Sequence, residues 1–166
     1  MKKIVLFLFI ISTITILTSK DNTYVIPSDA IRFRIIANSN RLEDQIEKNK
    51  LKNEIQKKLE ESLKDSYSAK NSRGLIVNDL STIKSLVSSK TSDYDINYGY
   101  NYFPEKTYKN VVYPAGEYES LVITLGSGLG NNWWCVLYPP LCFIDEEDDV
   151  NYDFYVKEIF NKIKSN

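Results

Sequence analysis

The chain has 166 residues, 43% of them hydrophobic and 26% charged, with a formal net charge of −1 and no histidine. That is enough chain for one domain with a real core, and the charge leaves no basic footprint for nucleic acid. The missing histidine removes Ser-His and Cys-His nucleophilic pairs and histidine-ligated metal sites, and neither Asp-Thr-Gly nor Asp-Ser-Gly is present to supply an aspartic-protease motif.

Met1-Lys2-Lys3 and the apolar run Ile4 to Leu17 read as the n-region and h-region of a signal peptide. The run falls short of the ~20 residues of a usual transmembrane helix. Thr18-Ser19 offers a small residue at a cut site without an Ala-x-Ala pattern. Residues 1–19 are therefore read as either a signal peptide or an uncleaved membrane anchor, and the chain as exported across the cytoplasmic membrane. Residues 20–29, polar and containing Pro27, read as a linker, and 30–166 as a single α+β domain.

Ile31, Phe33 and Ile35 alternate with Arg32 and Arg34, the pattern of a strand with one buried face. The two arginines are either a solvated or internally paired face, or a place for an acidic partner. Asn38-Ser39-Asn40 is a turn, and Asn40 with Glu43 resembles a capping box. A helix follows to about Leu63, its narrow stripe formed by Leu42, Ile46, Leu51, Ile55, Leu59 and Leu63. Asp65 to Gly74 reads as a loop, and a shorter helix is expected after Asp79 with Leu80, Ile83, Leu86 and Val87 inward.

From Tyr94 the period becomes two, with Ile96, Tyr98, Tyr100 and Tyr102 on one face of a strand. Val111 to Tyr113, Glu117 to Leu125 and Trp133 to Tyr138 follow as further strands separated by turns. Asp145 to Asp149 lacks the alternation and glycine of a calcium loop and reads as a solvated turn before a helix over roughly Val150 to Ser165. The expected fold is α+β, an antiparallel sheet of about four to five strands packed against two to three helices.

The segment Gly126 to Phe143 holds both tryptophans, both cysteines and half of the six glycines. Gly126, Gly128 and Gly130 have G-x-G-x-G spacing and precede a strand where a nucleotide loop needs a helix, so they read as hairpin-forming. Cys135 and Cys142 flank Pro139-Pro140; in an exported chain they either form a disulfide across a stiff turn or remain two thiols. Trp133 and Trp134 fall on opposite strand faces, which predicts one in the core and one exposed as an interface anchor beside Tyr138. No catalytic residue, metal ligand, cofactor or small-molecule ligand is assigned.

Two blocks carry a family resemblance. One runs from Ile26-Pro27 through Ala30 to Ser39, with Asp44-Gln45 downstream. The other runs from Tyr113-Pro114-Ala115-Gly116 through the glycines and Asn132-Trp133-Trp134-Cys135 to Pro139-Pro140-Leu141-Cys142-Phe143. In these the chain resembles the stage II sporulation protein R family of endospore-forming bacteria. The resemblance implies a secreted signal made in the forespore and acting between the forespore and mother-cell membranes. Its partner there would be a membrane-embedded aspartic protease that converts pro-sigma-E to sigma-E in the mother cell. Arg32, Arg34, Asn38, Asn132, Trp133, Trp134, Tyr138, Pro139 and Pro140 are the expected partner contacts. Asn40 and Val122, which depart from the family pattern, are expected on exposed faces. Two other readings stay open: an envelope enzyme using Glu117, Glu119 or Asp145, and a structural envelope protein.

Overall fold

The computed structural model describes residues 23–144 and 149–165. The leader at 1–19 and the acidic run from 145 to 148 lie outside the described residues. In chain order the elements are β1 (Tyr24–Val25), β2 (Ile31–Ile36), α1 (Leu42–Leu63), α2 (Ala69–Ser88), β3 (Tyr94–Phe103), β4 (Lys106–Tyr108), β5 (Val111–Tyr113), β6 (Gly116–Leu125), β7 (Asn132–Tyr138), a 3₁₀ turn (Leu141–Phe143) and α3 (Asp149–Ser165). Among the described residues no helix is long and apolar enough to cross a membrane.

The α+β class stands, and the strands form two mixed sheets, one ordered β3-β6-β2-β7 and the other β1-β5-β4. β3 and β6 pair along their whole length, from Tyr94 against Leu125 to Phe103 against Gly116. The β4–β5 hairpin rises from the tip of that pair and takes up β1 as its third strand. The pairing departs from a purely antiparallel sheet in two ladders, because β2 runs parallel to β6 and β1 parallel to β5. A parallel neighbour needs a long crossover, and the chain from β2 through α1, α2 and β3 supplies one.

Period-two alternation sends Ile31, Phe33 and Ile35 to one face, where they meet Leu121, Ile123, Leu125 and Leu137. α1 covers this face with Leu51, Ile55, Leu59 and Leu63, and α2 adds Ile76, Ile83 and Val87. The stripe of α1 begins later than its sequence implies. Leu42 and Ile46 are exposed, and Lys48 is buried where the spacing skips from Ile46 to Leu51. α2 in turn starts ten residues before Asp79, through a stretch that reads as loop. Gly74 sits there with open space around its Cα, while Ile76 at seven residues before Ile83 supplies the missing inward contact.

The opposite face is also covered. Phe103, Tyr118 and Val136 from the large sheet pack with Val111 of β5, Ile26 and Ala30 beside β1, and Tyr152, Val156, Ile159 and Phe160 of α3. Tyr24 stacks on Phe160 with ring centroids 4.9 Å apart. The expected linker at 20–29 is thus part of the fold from Tyr24 onward. The fold is a three-layer arrangement: two helices, the large sheet, then an aromatic layer made by the small sheet and α3.

Candidate functional site

The two motif blocks meet at one end of the large sheet. The turn after β2 and the glycine loop between β6 and β7 lie side by side, joined by Gly130 N–H to the Ala37 carbonyl at 2.9 Å and Leu129 N–H to the Asn38 carbonyl at 3.0 Å. Asn38 Oδ1 accepts from Ser127 N–H at 2.9 Å, while Asn38 Nδ2 donates to Asp44 at 3.0 Å. Asn40 Oδ1 accepts from Asn131 N–H at 2.7 Å. This use replaces the expected capping box: α1 begins after Arg41, with no side-chain cap.

Close approach explains the glycines. Gly126 has φ +53°, and a Cβ there would run into the Asn38 side chain. A Cβ at Gly130 would collide with the Ser39 carbonyl. Lys48 closes the cluster from α1 by donating to Gln45 Oε1 at 2.7 Å and to the Asn131 carbonyl at 3.1 Å. Burial holds its ammonium pKa below the ordinary lysine value, with the neighbouring Lys52 adding to the shift. The donors and acceptors of this junction are spent on each other, so its role is to fix β7 against β2.

β7 leads from that junction into the disulfide. Cys135 and Cys142 are bonded, with Cα atoms 5.5 Å apart, and Gln56 of α1 donates to the Cys142 carbonyl at 2.6 Å. The Tyr138–Pro139 peptide is cis. Tyr138, Pro139 and Pro140, expected as contact residues, are buried. They belong to the support of the segment, because the turn folds inward under the disulfide and the 3₁₀ turn.

The tryptophans do point to opposite faces, yet both are half-buried. Trp133 meets Phe33 edge-on at 5.5 Å on the helix-covered face. Trp134 meets Phe103 at 5.3 Å on the aromatic face. The expectation of one core and one exposed tryptophan fails for a single reason: both faces of the sheet are partly covered at β7. Asn132 is exposed just ahead of them.

Arg32 and Arg34 share the aromatic face with Trp134. Arg32 is only 2% exposed, its guanidinium carbon 4.3 Å from the centroid of Phe103 and 5.2 Å from that of Tyr118. Arg34 lies 5.1 Å from the Trp134 centroid, and Lys106 Nζ approaches the same ring at 5.9 Å. Burial lowers the pKa of both guanidinium groups; at Arg32, Tyr118 and Tyr113 oppose that shift. Neither arginine is on the solvated face that their alternation allows. Val122 is buried as well, because the alternate face of β6 is covered too. The sequence reading missed Lys48, Ser127, Lys106, Phe103 and Tyr118 as parts of these two clusters. One signal for the second was present, since β6 carries Tyr118 and Val122 on the face opposite Leu121 and Ile123, as a strand covered on both faces can.

Of the carboxylates set aside for an enzymatic reading, Glu119 is engaged by a bidentate pair from Arg73 Nε at 2.8 Å and Nη2 at 2.6 Å and by the Tyr98 hydroxyl at 2.8 Å. The Arg73 hydrogen bonds hold its pKa below the ordinary glutamate value, which suits an ion-pair anchor better than a proton donor. Glu117 is exposed at the start of β6, and Asp145 lies outside the described residues. Among the described residues no group of three or more Cys, Asp or Glu side chains is placed to hold a metal ion.

Residues 27–148 match the family model described as stage II sporulation protein R. The protein named "Stage II sporulation protein R" from Bacillus subtilis (strain 168) is 42% identical over 133 residues. That stretch covers 76% of this chain and 59% of the relative, so the chain spans less than two thirds of the relative's length. No solved structure matches.

Proposed function

Because this chain belongs to the stage II sporulation protein R family, we propose that it is the exported signal that activates a membrane-embedded aspartic protease, leading to removal of the pro-sequence of sigma-E in the mother cell. The reading places its action in the space between the forespore and mother-cell membranes, reached through the leader expected at residues 1–19. The family match carries it, since residues 27–148 include both motif blocks but for Ile26. The geometry supports it with a preorganised element: a glycine-locked strand, held at one end by the Asn38 junction and at the other by the disulfide. A signal of this kind needs no chemistry of its own. It needs only to bind the active state of its receptor better than the inactive one.

The test is deletion of the encoding gene in a sporulating host, with sigma-E processing followed by immunoblot. Accumulation of the unprocessed precursor, reversed by restoring the gene, is expected. Processing on the normal schedule without the gene would sink the reading.

A further inference from the structure

Arg32 and Arg34 leave β2 on the same side, two residues apart, and reach into a frame of aromatic rings. Phe103 lies under both guanidinium groups, Tyr118 and Tyr113 flank Arg32, and the Trp134 ring lies close to both Arg34 and Lys106. Nε and Nη1 of Arg32 and Nε of Arg34 are buried without a hydrogen-bond acceptor. The ion pairs of the described residues use Arg41, Lys58, Arg73, Lys90 and Lys162, and none reaches Arg32, Arg34 or Lys106.

Burying a guanidinium without a counter-charge is costly, and ring faces return only part of that cost. Packing alone would be served as well by methionine or leucine at these positions. Three cations around one aromatic frame, with no carboxylate of the described residues paired to them, describe a site whose counter-charge comes from elsewhere.

We propose that Arg34, Lys106 and Trp134, with Arg32 behind them, form a docking site for a carboxylate-bearing segment of a protein partner. The half-buried Arg34 and the exposed Lys106 form the accessible rim. The planar fork of arginine matches a carboxylate in two parallel hydrogen bonds, and the tryptophan supplies the large, stiff apolar surface typical of an interface anchor. Anionic lipid is the other source of negative charge. Membrane surfaces are recognised by dense clusters of basic residues, whereas this chain has a net charge of −1 and brings only Arg32, Arg34 and Lys106 to this aromatic frame. A discrete acidic side chain fits better than a charged surface. The site rests on the proposed activating role only for the identity of the partner; its chemistry is read from the residues themselves.

The experiment uses the full-length protein carrying Trp133→Phe, so that Trp134 is the one remaining indole. Its fluorescence is followed during titration with a short peptide containing adjacent glutamates and with the same peptide carrying glutamines. A saturable response to the glutamate peptide is expected, weakened by about tenfold or more with the glutamine peptide. The same loss is expected in Lys106→Gln, an exposed change that leaves the core intact, and in Arg34→Gln. No response to the glutamate peptide, an equal response to both peptides, or a response that survives both substitutions would overturn the proposal. Binding to phosphatidylglycerol vesicles without a peptide response would reassign the site to lipid and overturn it too. Peptide recognition is measured on purified protein and sigma-E processing in cells, so the failure of one is distinguishable from the failure of the other.

Discussion

The two faces of the large sheet are made of opposite chemistry. On the helix side, Ile31, Phe33, Ile35, Leu121 and Ile123 meet the leucines and isoleucines of α1 and α2, and every one of these sheet residues is fully buried. On the other side, Phe103, Tyr113, Tyr118 and Trp134 surround two guanidinium groups, and Tyr152 and Phe160 of α3 complete the layer. Arginine itself shows the contrast. Arg73, at the rim of the helix side, has its carboxylate in Glu119, whereas Arg32 and Arg34 have buried donors with no acceptor among the described residues. Because strand side chains alternate, neighbours in sequence serve different ends: Phe33 packs into the helix-covered core while Arg32 and Arg34 charge the aromatic layer proposed for recognition.

The comparison is broken most directly by removing apolar volume from the helix side. Leu59→Ala deletes a fully buried side chain of α1 and is expected to cost about 2–5 kcal/mol. Urea unfolding should show a lower midpoint at unchanged slope; a midpoint near wild type would mean that α1 does not carry the core. The tryptophans come next. Both are half-buried, so alanine at either should cost roughly 2–3 kcal/mol, below the range for a fully buried tryptophan. Only Trp134→Ala should also abolish peptide recognition, followed by titration calorimetry because the indole probe is lost. A large loss at one position with none at the other would restore a one-in, one-out strand and contradict the two-sided cover.

Much of this was legible in the sequence, and the remainder has physical reasons. β2, β3 and β6 each carry a period-two pattern long enough to register, β7 is an apolar run bounded by turns, and the body of α1 shows its stripe. β1 and β4, at two and three residues, are too short for any period and exist because partners hold them. The first half of α2 carries Lys70, Asn71, Ser72, Arg73 and Gly74, which read as loop; tertiary contacts through Ile76 override that propensity. The site divides the same way. Glycines, tryptophans and cysteines were visible as a dense segment, but Asn38 and Ser127 are joined across 89 positions, and no local pattern reports such a pairing. The inward fate of Arg32 and Arg34 depends on a second layer built by β5 and α3, which β2 alone does not encode.

A smaller effect sharpens the contrast between paired and unpaired arginines. Glu119 pairs with Arg73, and its pKa is lowered first by those hydrogen bonds, against burial, with Tyr98 helping. Tyr98 is shifted upward in turn, by burial and then by the same contact. A carboxyl with a depressed folded pKa contributes stability that is complete above its unfolded value of ~4.3 and is lost as pH falls through the lower folded value. Since Arg73 is half-exposed, Glu119→Gln should cost about 1–2 kcal/mol at neutral pH. The gap from wild type should close under acid, below about pH 4. Thermal unfolding of both proteins across pH checks this, and a gap that persists at pH 2 would place the cost in packing instead of charge.

The smallest expected change in stability falls at Arg32, the most buried charged side chain among the described residues. Removing an unpaired buried guanidinium relieves desolvation while forfeiting its contact with Phe103 and Tyr118, and a methionine of similar length can keep the packing. These terms oppose one another, so Arg32→Met should unfold within about 1 kcal/mol of wild type or above it. Activation should nevertheless fall, because the positive charge behind Arg34 is gone while the surface outline is kept. The paired readouts are the unfolding midpoint and sigma-E processing in a complemented deletion strain. Loss of both would make Arg32 a structural residue of the aromatic layer, on the same footing as Phe33 across the sheet. Stability kept with processing lost would mean that the fold bears the unpaired charge for recognition.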